Sequence, residues 1–314
     1  MRVSLIRTAH LIGVLLGVSF LVYLLLDLMP GDTAEVIGGQ LENSSPAVIE
    51  QIRQSMGLDR PFAVRYLEWL GNALQGDLGS SYRTGQSVVS AVLDRMPVTF
   101  QLLLMVEVLS LAIAIPLATL AASKRDTWID KLIATITFGL QSMPNFMVAV
   151  LLVFYLAVNL GILPAIGYVS PGEDLLGSIR SLVIPTLALS ASIIPIYIRV
   201  LRTEMVRTLQ EDFILLARSV GLRPSTIMAR YALKSSLPTL VTVVGINIGM
   251  LIGGSIVVEQ ISGLPGIGSL LFNSIKSQDY VLVQGVILMI ATAYVVTNFA
   301  IDMLYTWLDP RVRV

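Results

Sequence analysis

Six apolar stretches, each about 20 residues long, constrain the fold of this chain more than any other feature. A helix of that length crosses the hydrocarbon core of a bilayer, where every backbone amide has to be satisfied within the segment. The 314 residues are 55% hydrophobic and 13% charged, about half the charge of an ordinary soluble domain. The predicted fold class is therefore all-α, a polytopic membrane protein. The six predicted transmembrane helices lie at about residues 8–28, 99–123, 133–158, 181–200, 236–258 and 282–306.

The composition also excludes several classes of function. Lysine plus arginine (21) balance aspartate plus glutamate (21), so there is no overall basic field to bind nucleic acid. Cysteine is absent and His10 is the only histidine, which excludes thiol chemistry and the usual zinc ligands. The sequence has no Gly-x-x-x-x-Gly-Lys-Ser/Thr motif, so another subunit has to bind any ATP. We expect no catalytic residue, metal site or cofactor in this chain.

The distribution of charge predicts the orientation of the chain in the membrane. Fourteen of the 21 lysine and arginine residues lie on one side of the six-span arrangement, together with six acidic residues. Loops rich in lysine and arginine stay in the cytoplasm, so both termini are predicted to be cytoplasmic. The first stretch ends in Leu28-Met29-Pro30-Gly31-Asp32 rather than in a small-x-small cleavage site. This favours a retained helix in the cytoplasmic membrane over a signal peptide.

The region between the first two stretches is too long for a simple connection. Residues 30–97 are predicted to be extracytoplasmic and to contain a short helix over 46–56, capped by Ser45, and an amphipathic helix over Arg65–Leu74. The predicted organisation has four parts. They are an N-terminal transmembrane helix (1–29), this loop region (30–97), a core of five helices (98–306) and a cytoplasmic tail (307–314).

A second large loop, residues 201–235, is predicted to be cytoplasmic and basic. Acidic residues begin a short helix, apolar residues recur at helical spacing, and Gly221 ends the helix. A second helix is predicted after Pro224. Periodicity alone leaves two interpretations open, an amphipathic pair on anionic lipid or a docking site for another protein.

Few charged or amide side chains fall within or beside the predicted spans, and each is a candidate for function. A charge inside the hydrocarbon is unfavourable, so Glu107 either lines a solute pathway or is paired inside the helix bundle. Asn247 and Asn298 are typical of hydrogen bonds between helices. Glu259 is predicted just outside the fifth span, where it can face the mouth of a pathway. The candidates for a translocation pathway are Glu107, Asn247, Glu259 and Asn298.

Short strings along the whole chain occur in a specific order and spacing. They include Met29-Pro30-Gly31-Asp32, Gly57-Leu58-Asp59-Arg60-Pro61-Phe62, Gly76-Asp77-Leu78-Gly79-x-Ser81-Tyr82, Ser142-Met143-Pro144, Ala217-Arg218-x-x-Gly221-Leu222, Pro265-Gly266-Ile267-Gly268, Asp279-Tyr280-x-x-x-Gln284-Gly285 and Leu308-Asp309-Pro310-Arg311. Together these strings resemble the membrane permease subunits of binding-protein-dependent ABC importers. The likeness is to the B-type branch, which serves dipeptides, oligopeptides, glutathione or nickel.

The resemblance implies that the 201–235 loop couples transport to ATP hydrolysis. In the family this element, the EAA loop, places a short helix in a groove of the ATPase subunit. Its signature falls on Leu215-Leu216-Ala217-x-x-x-Gly221, with leucines in place of the glutamate and the first alanine. Small Ala217 and the turn at Gly221 are expected to let the helix lie close to the partner. The implied coupling residues are Leu215, Leu216, Ala217, Arg218, Gly221, Leu222 and Arg223.

The resemblance also implies the partners of the chain. These are a second homologous permease subunit, two ATP-binding subunits that hold ATP and magnesium, an extracytoplasmic solute-binding protein and the lipid bilayer. The chain is expected to form half of a pathway for di- or oligopeptides; glutathione, a nickel chelate or an oligosaccharide are the alternatives. A rival class is an ion-coupled secondary transporter, which also uses buried acids and broken helices. A channel or a purely structural membrane subunit is a further alternative.

Overall fold

The computed structural model describes residues 2–28, 46–55 and 59–308. Over these ranges the regular secondary structure is helical, with one isolated bridge between Ser80 and Ser87. The prediction of an all-α fold is confirmed. The helices are α1 (Arg2–Asp27), α2 (Pro46–Ser55), α3 (Phe62–Leu74), α4 (Val88–Leu93), α5 (Met96–Ser123), α6 (Trp128–Gln141), α7 (Asn145–Asn159), α8 (Leu175–Thr208), α9 (Asp212–Ser219), α10 (Pro224–Ser262), α11 (Ile267–Lys276) and α12 (Tyr280–Leu308).

Several of these helices are long and apolar enough to cross a bilayer. In the described chain four qualify, namely Val88–Ser123, α8, α10 and the Tyr280–Ala300 part of α12. The pair α6 and α7 makes a fifth if the two helices form one broken span. Helix α1 is continuous over 26 residues and is apolar from Leu11 to Leu25. The chain is therefore a multi-pass membrane protein, while the count of six spans stays a prediction.

The third predicted span, residues 133–158, is wrong as a single helix. Helices α6 and α7 meet at an angle of 93°. The break lies at Pro144, whose backbone is extended and whose carbonyl accepts hydrogen bonds from the amides of Met147 and Val148. Proline has no N–H to continue the preceding helix, and its extended backbone begins a new one. The end of α7, Val153–Asn159, is π-helical.

The chain divides into two compact units. The first contains Met1–Val98 and Pro265–Val295, and the second contains Thr99–Leu264 and Val296–Val314. Each unit has its own buried contacts, which hold its elements in place.

In the first unit, α3 packs against α1 through aromatic rings. Phe20 lies edge-on to Phe62 and Tyr66, with centroid distances of 5.8 and 5.5 Å, and Tyr23 contacts Trp69 at 5.7 Å. Edge-to-face pairs at these distances stabilise more than the burial of the rings alone. The predicted amphipathic helix is thus confirmed, and it rests on the N-terminal helix.

An ion pair also joins α3 to the end of α1. The guanidinium of Arg65 lies 2.5 Å from the carboxylate of Asp27. The other predicted helix of this loop is also confirmed, because α2 begins at Pro46. Its predicted cap, Ser45, and Gly57 lie outside the described residues.

Two of the strings that carry the resemblance meet in the first unit. The Ser81 hydroxyl donates a hydrogen bond of 2.5 Å to the Asp279 carboxylate, across 198 residues of sequence. The other carboxylate oxygen of Asp279 accepts from the amide of Leu282 at 3.2 Å, which caps the start of α12. The loop before α4 is therefore tied to the first turn of the last helix.

In the second unit, α8 is the central element. It packs against α10, α7 and α6, and about one side chain in two along its 34 residues is buried. Pro185 and Pro195 lie within α8 without ending it, and Pro116 lies within α5. Proline is tolerated in membrane helices where neighbouring helices satisfy the freed backbone groups.

Candidate coupling site and buried carboxylates

A short helix, α9, connects the two longest helices of the second unit. Helix α8 ends at Thr208, α9 covers Asp212–Ser219, and α10 begins at Pro224. Asp212 lies in the first turn of α9 and Arg218 in the last, which suits the helix dipole at both ends. The predicted helix and turn are confirmed. The predicted second helix is not a separate element, because it runs on as α10 to Ser262.

The inner face of α9 packs on its own chain. Ile214, Ala217 and Ile227 form a buried cluster, with Leu209 and Leu222 packed against it. Ala217 is 5% exposed, so its small side chain brings α9 close to the start of α10 rather than to a partner. The expected contact of Ala217 with a partner surface is therefore wrong in this structure, since another part of the same chain covers it.

Gly221 makes the turn that closes this cluster. Its φ is +80°, in the left-handed region that favours glycine. The amide of Leu222 then donates to the carbonyl of Ala217 at 3.2 Å, and the Leu222 side chain packs on the cluster. Gly221 and Leu222 thus fix the angle between α9 and the start of α10.

The outer face of α9 is apolar and exposed. Leu215, Leu216 and Val220 are 57, 65 and 68% exposed, and Phe213 is 44% exposed. Four large apolar side chains on an eight-residue helix and its C-terminal cap form a patch of the kind that marks an interaction site. Arg218 and Arg223 are also exposed and can pair with acidic groups. We call these six exposed residues the outer face of α9. They are Phe213, Leu215, Leu216, Arg218, Val220 and Arg223.

Sequence reasoning missed Phe213 and Val220 as members of this face. A signal was present, because α9 carries apolar residues on both sides, at 214 and 217 and again at 213, 216 and 220. A short helix outside the membrane needs only one apolar side to pack on its own chain. The second apolar side indicates another partner.

Glu107 is paired inside the helix bundle. It is buried in α5, and the hydroxyl of Tyr197 on α8 lies 3.0 and 2.8 Å from its two carboxylate oxygens. Of the two interpretations left open by the sequence, the structure favours pairing over an exposed position in a pathway. The contact ties α5 to α8, because leaving either polar group unpaired inside the bundle would be costly.

Glu259 does not face an open mouth. It lies within α10 and is 0% exposed. Its carboxylate accepts hydrogen bonds from the hydroxyls of Thr99 at 2.9 Å and Ser255 at 3.2 Å. Helix α10 continues beyond the predicted limit of 258 to Ser262, so Glu259 lies inside this helix, and its position just outside the membrane span stays a prediction. The partner from α5 is 160 residues away, so no local pattern points to it.

The two candidate asparagines also lie within helices. Asn247 is buried in α10 and donates through its amide nitrogen to the carbonyl of Val243, at 2.8 Å on the same helix. Asn298 lies in α12 and is partly exposed. The structure does not bring the four pathway candidates together at one site.

The chain is a multi-pass helical membrane protein with a short, exposed apolar helix between two long spans. Residues 114–314 match the family of the binding-protein-dependent transport system inner membrane component. Residues 1–103 match the N-terminal part of such membrane components. The chain belongs to this family of inner-membrane permease subunits.

Related proteins align with nearly the whole length of this chain. A putative peptide transport system permease protein of Brucella abortus is 38% identical over 307 residues, which are 98% of this chain and 97% of the relative. A glutathione transport system permease protein of Pectobacterium atrosepticum is 33% identical, with the same coverage. The sequence-based recognition of the family is thus confirmed.

A solved structure supports the fold. The MetNI methionine ABC transporter, in an inward-facing conformation, contains a chain that superposes with a TM-score of 0.59 at 16% identity. The match covers 69% of this chain and 95% of that chain. The permease fold of an ABC transporter is therefore shared.

Proposed function

We propose that this chain forms half of the transmembrane pathway of an ABC importer and takes its solute from an extracytoplasmic binding protein. The observation that carries the proposal is the exposed apolar outer face of α9, in a chain of the binding-protein-dependent transport family. The chain performs no bond chemistry. ATP and magnesium bind to two separate ATPase subunits, and a second, homologous permease subunit supplies the other half of the pathway.

The proposed coupling surface is the outer face of α9. An amphipathic helix that lays its apolar side in a groove is a common mode of protein recognition. Leu215, Leu216 and Val220 would enter the groove, and Arg218 and Arg223 would contact acidic groups at its rim. Ala217, Gly221 and Leu222 hold the helix at a fixed angle from behind, so a movement of α9 is passed to α8 and α10.

Coupling follows if ATP favours one state of the membrane helices over the other. Closure of the ATPase pair would shift α9, and the long helices joined to it would change from an inward-facing to an outward-facing arrangement. Such alternating access requires that ATP bind the two states with different free energies. The Glu107–Tyr197 and Glu259–Thr99 contacts make α5 move together with α8 and α10.

The proposed solutes are di- and oligopeptides. The support is the peptide permease relative at 38% identity, and the glutathione permease at 33% identity points to the same chemical class, a short peptide. Solute selection is expected to reside mainly in the binding protein. In this chain Glu107, Asn247 and Glu259 are hydrogen-bonded inside the bundle, so these three candidates support the bundle more directly than they select a ligand.

The proposed orientation, with both termini in the cytoplasm, gives a labelling prediction. The chain has no cysteine, so single cysteines report one position each. Ser219→Cys on α9 and Arg125→Cys in the loop before α6 are expected to react with a membrane-impermeant maleimide only in inverted vesicles. Ser80→Cys, in the loop before α4, is expected to react in spheroplasts, and the wild-type chain serves as the unlabelled control. The opposite labelling pattern would overturn the orientation.

ATP hydrolysis by the reconstituted complex tests the function itself. The complex of both permease subunits and the ATPases, in lipid, is expected to hydrolyse ATP several-fold faster when its binding protein is loaded with a mixed peptide pool. Stimulation by glutathione, a nickel chelate or an oligosaccharide alone would keep the importer and change the solute. A permease that is purified intact without any ATPase would contradict the proposal and favour an ion-coupled transporter.

A further inference from the structure

A cavity of about 390 Å³ lies between α6 and α8 in the second unit. Its polar part is formed by charged side chains near the start of α6 and on the second half of α8. The ionisable residues that line it are Asp126, Asp130, Lys131, Arg199 and Arg202. None of them belongs to the outer face of α9 or to the pathway candidates.

The two acidic residues of the cavity each have a basic partner, Arg202 inside the cavity and Arg125 outside it. Asp130 accepts two hydrogen bonds from the guanidinium of Arg202, at 2.6 and 2.5 Å. Asp126 lies 3.3 Å from Arg125. Both acidic residues of the cavity therefore have a basic partner already.

The other two basic residues lack such a partner. Across the described chain, no carboxylate lies within ion-pair distance of Lys131 or Arg199, and Arg199 donates only to the side-chain oxygen of Gln141 at 3.3 Å. The cavity is therefore lined by two exposed basic residues, Lys131 and Arg199, that have no carboxylate partner among the described residues. A bound anion would complete the local charge balance.

Much of the remaining wall of the cavity is apolar. The apolar part is formed by Ile133, Ala134, Phe138, Pro195 and Ile198, and Thr137, Gln141 and Thr203 add polar groups. A small inorganic anion would gain nothing from contact with apolar walls, whereas the glycerol and acyl parts of a lipid would cover them and remove them from water.

The position of the cavity along α6 also suits a lipid. Trp128, the first residue of α6, is 72% exposed, and tryptophan is enriched at the level of the lipid headgroups. Lys131 and Arg125 flank it in sequence, on the side predicted to be cytoplasmic. Basic pockets between membrane helices at this depth bind anionic headgroups.

We propose that the cavity between α6 and α8 binds the phosphate headgroup of an anionic phospholipid, with Lys131 and Arg199 contacting the phosphate. The Arg202–Asp130 pair positions the floor of the site, and one acyl chain lies along the apolar wall at Phe138. A phosphate group from the cytoplasm offers the same charge, so the experiment has to separate the two sources.

Lipid binding to the complete transporter in detergent tests this site. Native mass spectrometry is expected to show phosphatidylglycerol bound about 30-fold more tightly than phosphatidylcholine with the same acyl chains, because Lys131 and Arg199 each strengthen the binding of an anionic headgroup by about 5-fold. The Lys131→Gln, Arg199→Gln variant is expected to lose this preference, so that its binding of phosphatidylglycerol weakens by about 30-fold. Phosphatidylcholine is expected to bind the variant as before.

A matched control removes the same charges outside the cavity. Lys124 lies in the loop before α6 and Arg207 near the end of α8; both are exposed and neither lines the cavity. The Lys124→Gln, Arg207→Gln variant is expected to keep the preference for phosphatidylglycerol. If both double variants lose the preference for phosphatidylglycerol equally, or if neither loses it, the proposed lipid site is wrong.

A competition experiment distinguishes the phosphate of a lipid from a soluble phosphate. Millimolar inorganic phosphate or glycerol phosphate is expected to leave the bound phosphatidylglycerol in place, because neither contacts the apolar walls. Displacement by these soluble anions would show an anion site without a lipid and would contradict the proposal. So would a complete transporter that retains no lipid here, since a partner subunit would then cover the cavity.

Discussion

Replacing Leu215 and Leu216 by serine is expected to weaken binding of the ATPase subunit to the permease by about 100-fold. Both side chains are more than half exposed on α9 and make little contact within the chain. Burying a leucine side chain contributes about 1.5–3 kcal/mol, and these two are already partly covered, so the pair is expected to contribute about 3 kcal/mol. That free energy corresponds to the 100-fold change in the dissociation constant. The measurement is ATPase binding to permease in lipid nanodiscs, followed by solute uptake in cells.

The chain offers a matched control for this variant. Leu175 and Leu176 are also adjacent leucines at the start of a helix, with 63 and 64% exposure, on the side predicted to be extracytoplasmic. Leu175→Ser with Leu176→Ser is expected to leave ATPase binding unchanged. If the α9 variant binds the ATPase like the wild type while remaining in the membrane, then the outer face of α9 is not the coupling surface.

Replacing Gly263 by alanine is expected to destabilise the permease by about 2 kcal/mol. Gly263 ends α10 with a φ of +62°, which places the amide of Leu264 2.9 Å from the carbonyl of Glu259. Alanine in this left-handed conformation costs about 1 kcal/mol. A Cβ atom at Gly263 would also overlap Cγ2 of Ile166, and because the Ile166 side chain is exposed it can leave its rotamer to make room, at a cost of about 1 kcal/mol.

Two further variants separate these causes. Gly221 has a φ of +80° but open space around the position of a Cβ atom, so Gly221→Ala is expected to cost only about 1 kcal/mol. Ile166→Ala combined with Gly263→Ala is expected to recover most of the difference, because it removes the overlapping atoms. Thermal unfolding in detergent measures all of these variants. Equal melting temperatures for the Gly221 and Gly263 variants would refute the role of Ile166.

Much of the architecture is determined by local sequence. The apolar lengths place the helices in a membrane because a helix satisfies its own backbone amides in hydrocarbon. Pro46 starts α2, and Gly221 ends α9, because each residue has a backbone conformation that suits its end of a helix. The family was also recognisable, since its strings depend on order and spacing alone.

Other features depend on neighbours that are distant in the sequence. Pro116, Pro185 and Pro195 lie within continuous helices, yet the chain bends by 93° at Pro144. A missing N–H permits a bend at each of these positions. The surrounding helices decide where the bend occurs, because packing can compensate for one lost hydrogen bond in one place and not in another.

The partners of the buried carboxylates were beyond sequence reasoning for the same reason. Glu107 receives its hydrogen bonds from a residue 90 positions away, Glu259 from one 160 positions away, and Asp279 from one 198 positions away. The sequence by itself indicated that Glu107 either lines a pathway or needs a partner, because a charge inside a membrane protein is costly when unpaired. Only the tertiary structure decided which hydroxyl contacts each of the three acids, and which face of α9 is exposed. Helix packing, unlike helix formation, is set by contacts between distant segments.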